Sequence, residues 1–188
     1  MSTRENLITQ AALLLDKGGD AAVTLRAVAH AVGVSHNAPY RHFKDRNALL
    51  AAIAERDFRM LALAFEGTRL GDAEPIQRLK EALGLFIQYG RDYPARYRLL
   101  FSDPGIGAAG GSLEAAALKA FTAFAGLVED AQSTGALPPT PTRELAGLIY
   151  ATAHGLVDLQ AGGRMREQKG LSAAEQGVAL LLLLLGAS

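Results

Sequence analysis

The chain has 188 residues, 49% of them hydrophobic and 20% charged, and its 19 cationic and 19 anionic side chains cancel. That is enough apolar material for a substantial core, in one medium domain or in a small domain joined to a larger one. There is no cysteine, which excludes disulfides and thiolate chemistry and is compatible with a reducing compartment.

The first residues alternate charged and apolar side chains at helical spacing and lack the continuous apolar core of a signal peptide. The longest apolar run, Val178–Leu185, is eight residues, against the roughly 20 that span a bilayer. A soluble, cytoplasmic protein with no membrane partner is expected.

Helix signals fill the chain, and no period-2 run of β-branched residues predicts a strand. Ser2 and Glu5 form a capping box ahead of Leu7, Ile8, Ala11, Leu14 and Leu15, and Gly18 with Gly19 ends that helix. Thr24 is placed to cap a short helix carrying Leu25, Val28, Ala29 and Val32; Gly33 supplies the left-handed turn that follows. A second short helix is expected from a Ser35 cap to Phe43, with Pro39 tolerated in its first turn. Asp45 opens a long helix toward Phe65, and residues 67–72 break it. Pro75 opens the next, through Gly90, and Pro94 starts a short one ending near Phe101. Residues 102–105 with Gly107, Gly110 and Gly111 read as a mobile loop. Ser112 begins a helix to about Thr134, and Thr140 and Pro141 cap and open another that ends at Gly162 and Gly163. Ser172 and Glu175 form a last capping box before the leucine-rich end. The expected class is all-α, with about nine helices.

The helix-turn-helix layout of residues 24–43 has a face with chemistry on it. Val34, Ala38, Pro39 and Phe43 fall inward, whereas His36, Asn37, Tyr40 and Arg41 fall outward as i,i+4 pairs. Ser35, His36 and Asn37 point at base edges, where Asn suits adenine and Arg suits guanine. Tyr40, His42, Lys44 and Arg46 offer donors at the far end, where phosphates would lie. Between 24 and 46, Arg26, Arg41, Lys44 and Arg46 outweigh Asp45, a local charge of +3 in a neutral chain, and three of the four histidines lie there. The bland alternative is a pair of core helices with a solvated polar face; the basic patch favours DNA.

Thr24–Leu50, with Tyr40-Arg41-His42-Phe43 and Asn47-Ala48-Leu49-Leu50, resembles the DNA-binding domain of the TetR family of bacterial repressors, and residues 3–17 fit that family's first helix. The resemblance implies that Thr24 and Arg26 touch the DNA backbone, and that Tyr40, His42 and Arg46 hold phosphates. Asn37 and Pro39 stand where the family more often has a small and an aliphatic residue, and Arg46 replaces a commoner lysine, keeping the charge but adding a fork.

The remainder carries two further expectations. Gly147, Ala151 and Gly155 form a small-residue stripe, and Leu180, Leu181 and Leu184 belong to a helix apolar all round. Together they suggest a homodimer interface of two helices from each copy, with burial inside one subunit as the alternative. Aromatic residues concentrate over 73–165: Phe86, Tyr89, Tyr93, Tyr97, Phe101, Phe121, Phe124 and Tyr150. Tyr150, His154 and Asp158 line one helical stripe, with Asp158 placed to hold the His154 imidazole in one tautomer. This run is similar to a TetR subclass with a Trp-x-x-x-His-Gly pattern, its tryptophan replaced by Tyr150. A core or interface histidine is the plainer reading. The expected effector site is Phe86, Tyr89, Tyr97, Phe101, Phe121, Phe124, Tyr150, His154 and Asp158.

No metal-ligand spacing, nucleophile motif or phosphate-cradling loop is present, so no enzyme, metal or cofactor is expected. The resemblance implies a helix-turn-helix domain over 1–47 and an effector-binding, dimerising domain over 48–188. Its partners would be a double-stranded DNA operator, a small and largely apolar effector, and a second copy. The competing reading is a ligand-binding or scaffolding helical dimer that does not read DNA.

Overall fold

A computed structural model describes residues 2–171 and 173–186. Nine α-helices are present among them: α1 (Thr3–Gly18), α2 (Leu25–Val32), α3 (Arg46–Arg69), α4 (Pro75–Asp92), α5 (Pro94–Ser102), α6 (Pro104–Gly107), α7 (Gly111–Ser133), α8 (Thr142–Ala161) and α9 (Ala174–Leu184). Three 3-10 turns and one isolated bridge, Arg166 to Leu171, complete the described elements. The all-α class is met. The nine helices differ from those expected, because residues 35–43 form no α-helix while α6 adds one.

The helix starts follow capping chemistry. The Ser2 hydroxyl accepts from the Glu5 amide at 3.2 Å, Thr24 from Ala27 at 3.0 Å, and the Asp45 carboxylate from Ala48 at 2.8 Å. The loop expected over 102–111 holds an ordered turn, because the Asp103 carboxylate accepts from the Gly105 and Ile106 amides and starts α6. Thr140 does not cap α8, which begins at Thr142 after Pro141. The Gln132 amide donates to the Pro138 and Thr140 carbonyls at 2.7 and 2.8 Å and accepts from the Thr142 hydroxyl. That side chain organises the turn. The capping role given to Ser172 lies outside the described residues; the Ala174 amide at the start of α9 donates to the Gln160 side chain at 2.7 Å.

Packing divides the chain into two compact units, one of residues 1–59 with 93–117 and one of 60–92 with 118–188. In the first, Leu7, Ile8 and Leu15 of α1 are buried together with Val28 and Ala29 of α2. Its polar centre is Asp57, fully buried, beside Arg96 at 8% exposure. Arg96 grips Asp16 with two nitrogens, Nε at 2.9 Å and Nη2 at 2.6 Å, reaches Asp57 at 3.4 Å, and lies 3.8 Å from the Tyr93 ring centre. Arg56 donates to the other Asp57 carboxylate oxygen, at 3.3 Å. Buried charges of opposite sign compensate one another's desolvation here.

In the second unit α4 and α9 pack on each other and both pack on α8. Phe65, Leu79, Leu83, Phe86, Ile87, Phe124 and Leu127 are among its fully buried large side chains. Gly177 of α9 lies so close to Leu156 of α8 that a Cβ there would be 2.7 Å from its methyl groups. Arg69 forks onto Asp130 at 2.8 and 2.9 Å, crossing Gly126, where any Cβ would overlap the guanidinium. That hydrogen bond to Asp130 is the main cause holding the Arg69 pKa above its ordinary value. By length and composition α7 is apolar enough to cross a membrane, but half of that window is buried inside the protein. It also carries Lys119, paired with Glu66 at 3.2 Å, and Asp130.

Candidate nucleic-acid interface

The first helix of the motif forms as the sequence dictates. Thr24 caps α2, Leu25, Val28 and Ala29 turn inward, and Gly33 adopts φ 75° and ψ 31°, closing the helix in the left-handed region.

The second helix does not form. Residues 36–38 make a turn and Pro39–Arg41 a 3-10 turn that opens without a side-chain cap. The missing Pro39 N–H would have donated to the Ser35 carbonyl in an α-helix. That carbonyl instead accepts from Ala38 at 2.9 Å, and the Arg41 amide donates to the Ala38 carbonyl at 3.2 Å, both in i,i+3 fashion. Phe43 alone makes an i,i+4 bond here, to the Pro39 carbonyl. The inward and outward division survives, with Pro39 and Phe43 buried, Val34 and Ala38 half-buried, and His36, Asn37, Tyr40 and Arg41 exposed.

Nine of the ten expected DNA residues are exposed: Thr24, Arg26, Ser35, His36, Asn37, Tyr40, Arg41, His42 and Lys44. Arg26 of α2 meets His36 and Tyr40 around a concavity of about 320 Å³, so the two halves of the motif share one donor-lined notch. The Lys44 and Asp45 charges are 3.9 Å apart on open surface and screen each other weakly. Arg46 is the exception, half-buried and bonded to the Val23 and Asp20 carbonyls and to the Asp20 carboxylate. It clamps the turn before α2.

Arg4 of α1 reaches this segment as well, its guanidinium lying over the Phe43 ring, 5.5 Å from the centre. Positions 4 and 43 meet only through tertiary packing, so no local pattern signals this.

The expected effector residues fall in both units. In the first, Tyr97 and Phe101 meet in a tilted pair at 4.8 Å and Phe58 meets Phe101 edge-on at 5.5 Å. In the second, Tyr150 is ringed by Phe86 at 5.1 Å, Phe124 at 5.7 Å and Phe121 at 6.0 Å. Burial pushes the Tyr150 phenol well above its ordinary pKa, so it stays a neutral hydroxyl. Tyr89 and His154 are half-buried, and Asp158 is exposed.

On α8, Ala151 is exposed, and Gly147 and Gly155 are half-buried with open space where a Cβ would lie. Leu180 and Leu184 are exposed on α9, and Leu181 is half-buried. Leu148, Leu159 and Leu183 join this outward apolar face; the small-residue stripe did not include them. Within one chain α9 therefore buries only part of its surface against α8 and α4, through its own Ala174, Gly177, Val178 and Leu182.

Residues 7–53 match the model for bacterial regulatory proteins of the tetR family, and residues 79–181, more than half of the chain, match the tetracyclin repressor-like C-terminal domain. The chain belongs to the TetR family. It is a helix-turn-helix DNA-binding transcriptional regulator of that family, whose members are generally not enzymes. A Rhodococcus sp. RHA1 protein of unknown function shares 27% identity over all of this chain and 97% of its own, with a TM-score of 0.82. Reduced NemR of E. coli has the same fold at 15% identity, full coverage of both chains and a TM-score of 0.76. The TetR-family regulator PfmR of Thermus thermophilus aligns over 95% of this chain and 96% of its own, at 16% identity and a TM-score of 0.66. No curated protein matches the sequence of this TetR-family chain.

Proposed function

We propose that this TetR-family regulator is a cytoplasmic, homodimeric repressor without enzymatic activity, metal or cofactor, which leaves its operator when a small, largely apolar effector binds. The notch shared by Arg26, His36 and Tyr40, with Asn37 and Arg41 exposed beside it, carries the reading. It combines cationic, hydroxyl and amide donors on a motif that suits the major groove. Residues 1–47 supply DNA contact, through Thr24, Arg26, Ser35, His36, Asn37, Tyr40, Arg41, His42 and Lys44. Residues 48–188 supply dimerisation and effector binding.

The uncovered leucines of α8 and α9 support the dimer, since a contiguous apolar face left in water is costly. The ring cluster around Tyr150 supports an apolar effector, with the neutral phenol as its polar anchor. To reverse occupancy from 99:1 to 1:99 the effector must prefer the non-binding state by roughly 5.5 kcal/mol.

Selecting fragments retained from random double-stranded DNA tests the reading and yields the operator. Arg26→Ala, Tyr40→Ala and His42→Ala are each expected to weaken retention, and affinity should fall with salt as for about three or four phosphate contacts per subunit. Unchanged retention in all three, or a salt-independent curve, contradicts it.

A further inference from the structure

A groove of about 440 Å³ runs between α4 and α9, walled by Gly84 and Ile87 on one side and Val178 and Leu182 on the other. Glu175 also lines the groove, and its carboxylate is paired with Arg91 of α4. Lys80 lies three helical turns back along α4, roughly 16 Å at the helical rise. It lines the groove half-buried, and among the described residues no carboxylate pairs with its ammonium.

A cation partly withdrawn from water gains when an anion joins it. Since Arg91 and Glu175 cancel, the groove carries one net positive charge at the end of an apolar channel. The complementary ligand has a single anionic group and a hydrocarbon body. We propose that the α4–α9 groove binds a single-tailed monoanionic amphiphile of the medium-chain carboxylate class, with its head on Lys80 and its tail along Ile87, Val178 and Leu182. The groove shares no lining residue with the rings around Tyr150, so this site is additional to the proposed effector cluster; its outermost lining residue, Leu183, also stands on the outward apolar face of α9, which makes a second copy the rival occupant.

Gly84 gives a direct block. It sits inside α4, and a Cβ there meets open space, so Gly84→Leu projects into the groove while improving helix propensity. Calorimetric titration of the full chain with decanoate, and with decyltrimethylammonium as the charge-reversed probe, tests the proposal. Saturable decanoate binding is expected at millimolar concentration or below. It should weaken by about tenfold or more in Lys80→Glu and comparably in Gly84→Leu, and persist in Tyr150→Phe. The ammonium probe should bind measurably better to Lys80→Glu than to the parent. Three results overturn the proposal. One is no saturable decanoate binding, with a Gly84→Leu change in oligomeric state then identifying a second copy as the occupant. Another is loss in Tyr150→Phe with Gly84→Leu unaffected. The third is equal binding of both probes.

Discussion

The Arg46 guanidinium closes on Asp20, with Nη2 2.5 Å from the carboxylate and 2.6 Å from the Asp20 carbonyl, while Nε donates to the Val23 carbonyl at 2.7 Å. A residue at a position associated with phosphate contact is thereby committed to holding the chain that leads into α2. Arg46→Ala should lower stability by about 1–2 kcal/mol through the lost carbonyl bonds. Arg41→Ala, an exposed change, should leave the melting temperature within a degree or two but weaken DNA binding about tenfold or more. Thermal melts paired with mobility shifts check this; a stable Arg46→Ala that loses DNA would return Arg46 to the interface.

Arg96 joins α1 to α5 through Asp16 while compensating the buried Asp57. Arg96→Met should cost about 3–5 kcal/mol, because it leaves carboxylates buried without that partner. Adding Asp57→Leu should recover part of the loss by removing the stranded charge. Denaturant titration of the single and double variants measures it; a double variant no more stable than the single would refute the compensation.

Two helical glycines should respond with opposite sign. A Cβ at Gly84 meets open space, so Gly84→Ala should stabilise by about 0.5–1 kcal/mol. Gly177→Ala gains the same propensity but drives a methyl into Leu156, and overpacking of that kind costs about 1–3 kcal/mol. The net effect should be destabilising, and Leu156→Ala should relieve the clash. Chemical denaturation of the set gives the signs directly.

Tyr150 imposes an alkaline limit. Its pKa is raised by burial in the folded state, so above about pH 10, the ordinary tyrosine value, the unfolded chain loses a proton that the folded chain keeps. The unfolded state is then favoured: the stabilising preference is complete below about pH 10 and is lost as pH rises toward the folded-state value. Relative to Tyr150→Phe, the parent should lose stability above about pH 10 and run parallel to it at neutral pH. Parallel curves throughout would show that the phenol is not desolvated.

Where a contact spans three or four residues, the sequence was a sufficient guide. Ser2, Thr24 and Asp45 each cap the helix they precede, Gly33 takes the left-handed turn, and the outward set from His36 to Arg41 is exposed, all because the interacting groups are neighbours in the chain. Pro39 costs the segment more than a tolerated first-turn position implies. With its own N–H missing, the Ser35 carbonyl turned to Ala38, and the segment tightened into a 3-10 turn.

The sequence by itself determined the helical class, the helix-turn-helix frame and the location of its basic patch, since helix propensity, capping and charge are local properties. Only the tertiary structure decided that Arg46 serves Asp20 and Val23, and that Gln132 rather than Thr140 organises the start of α8. It also decided which leucines of α9 remain uncovered and that Lys80 stands at the end of an apolar groove. Each of those outcomes depends on the direction a side chain takes toward a partner on another element, or around its own helix. Periodicity specifies the face a residue occupies, while packing selects what it meets there.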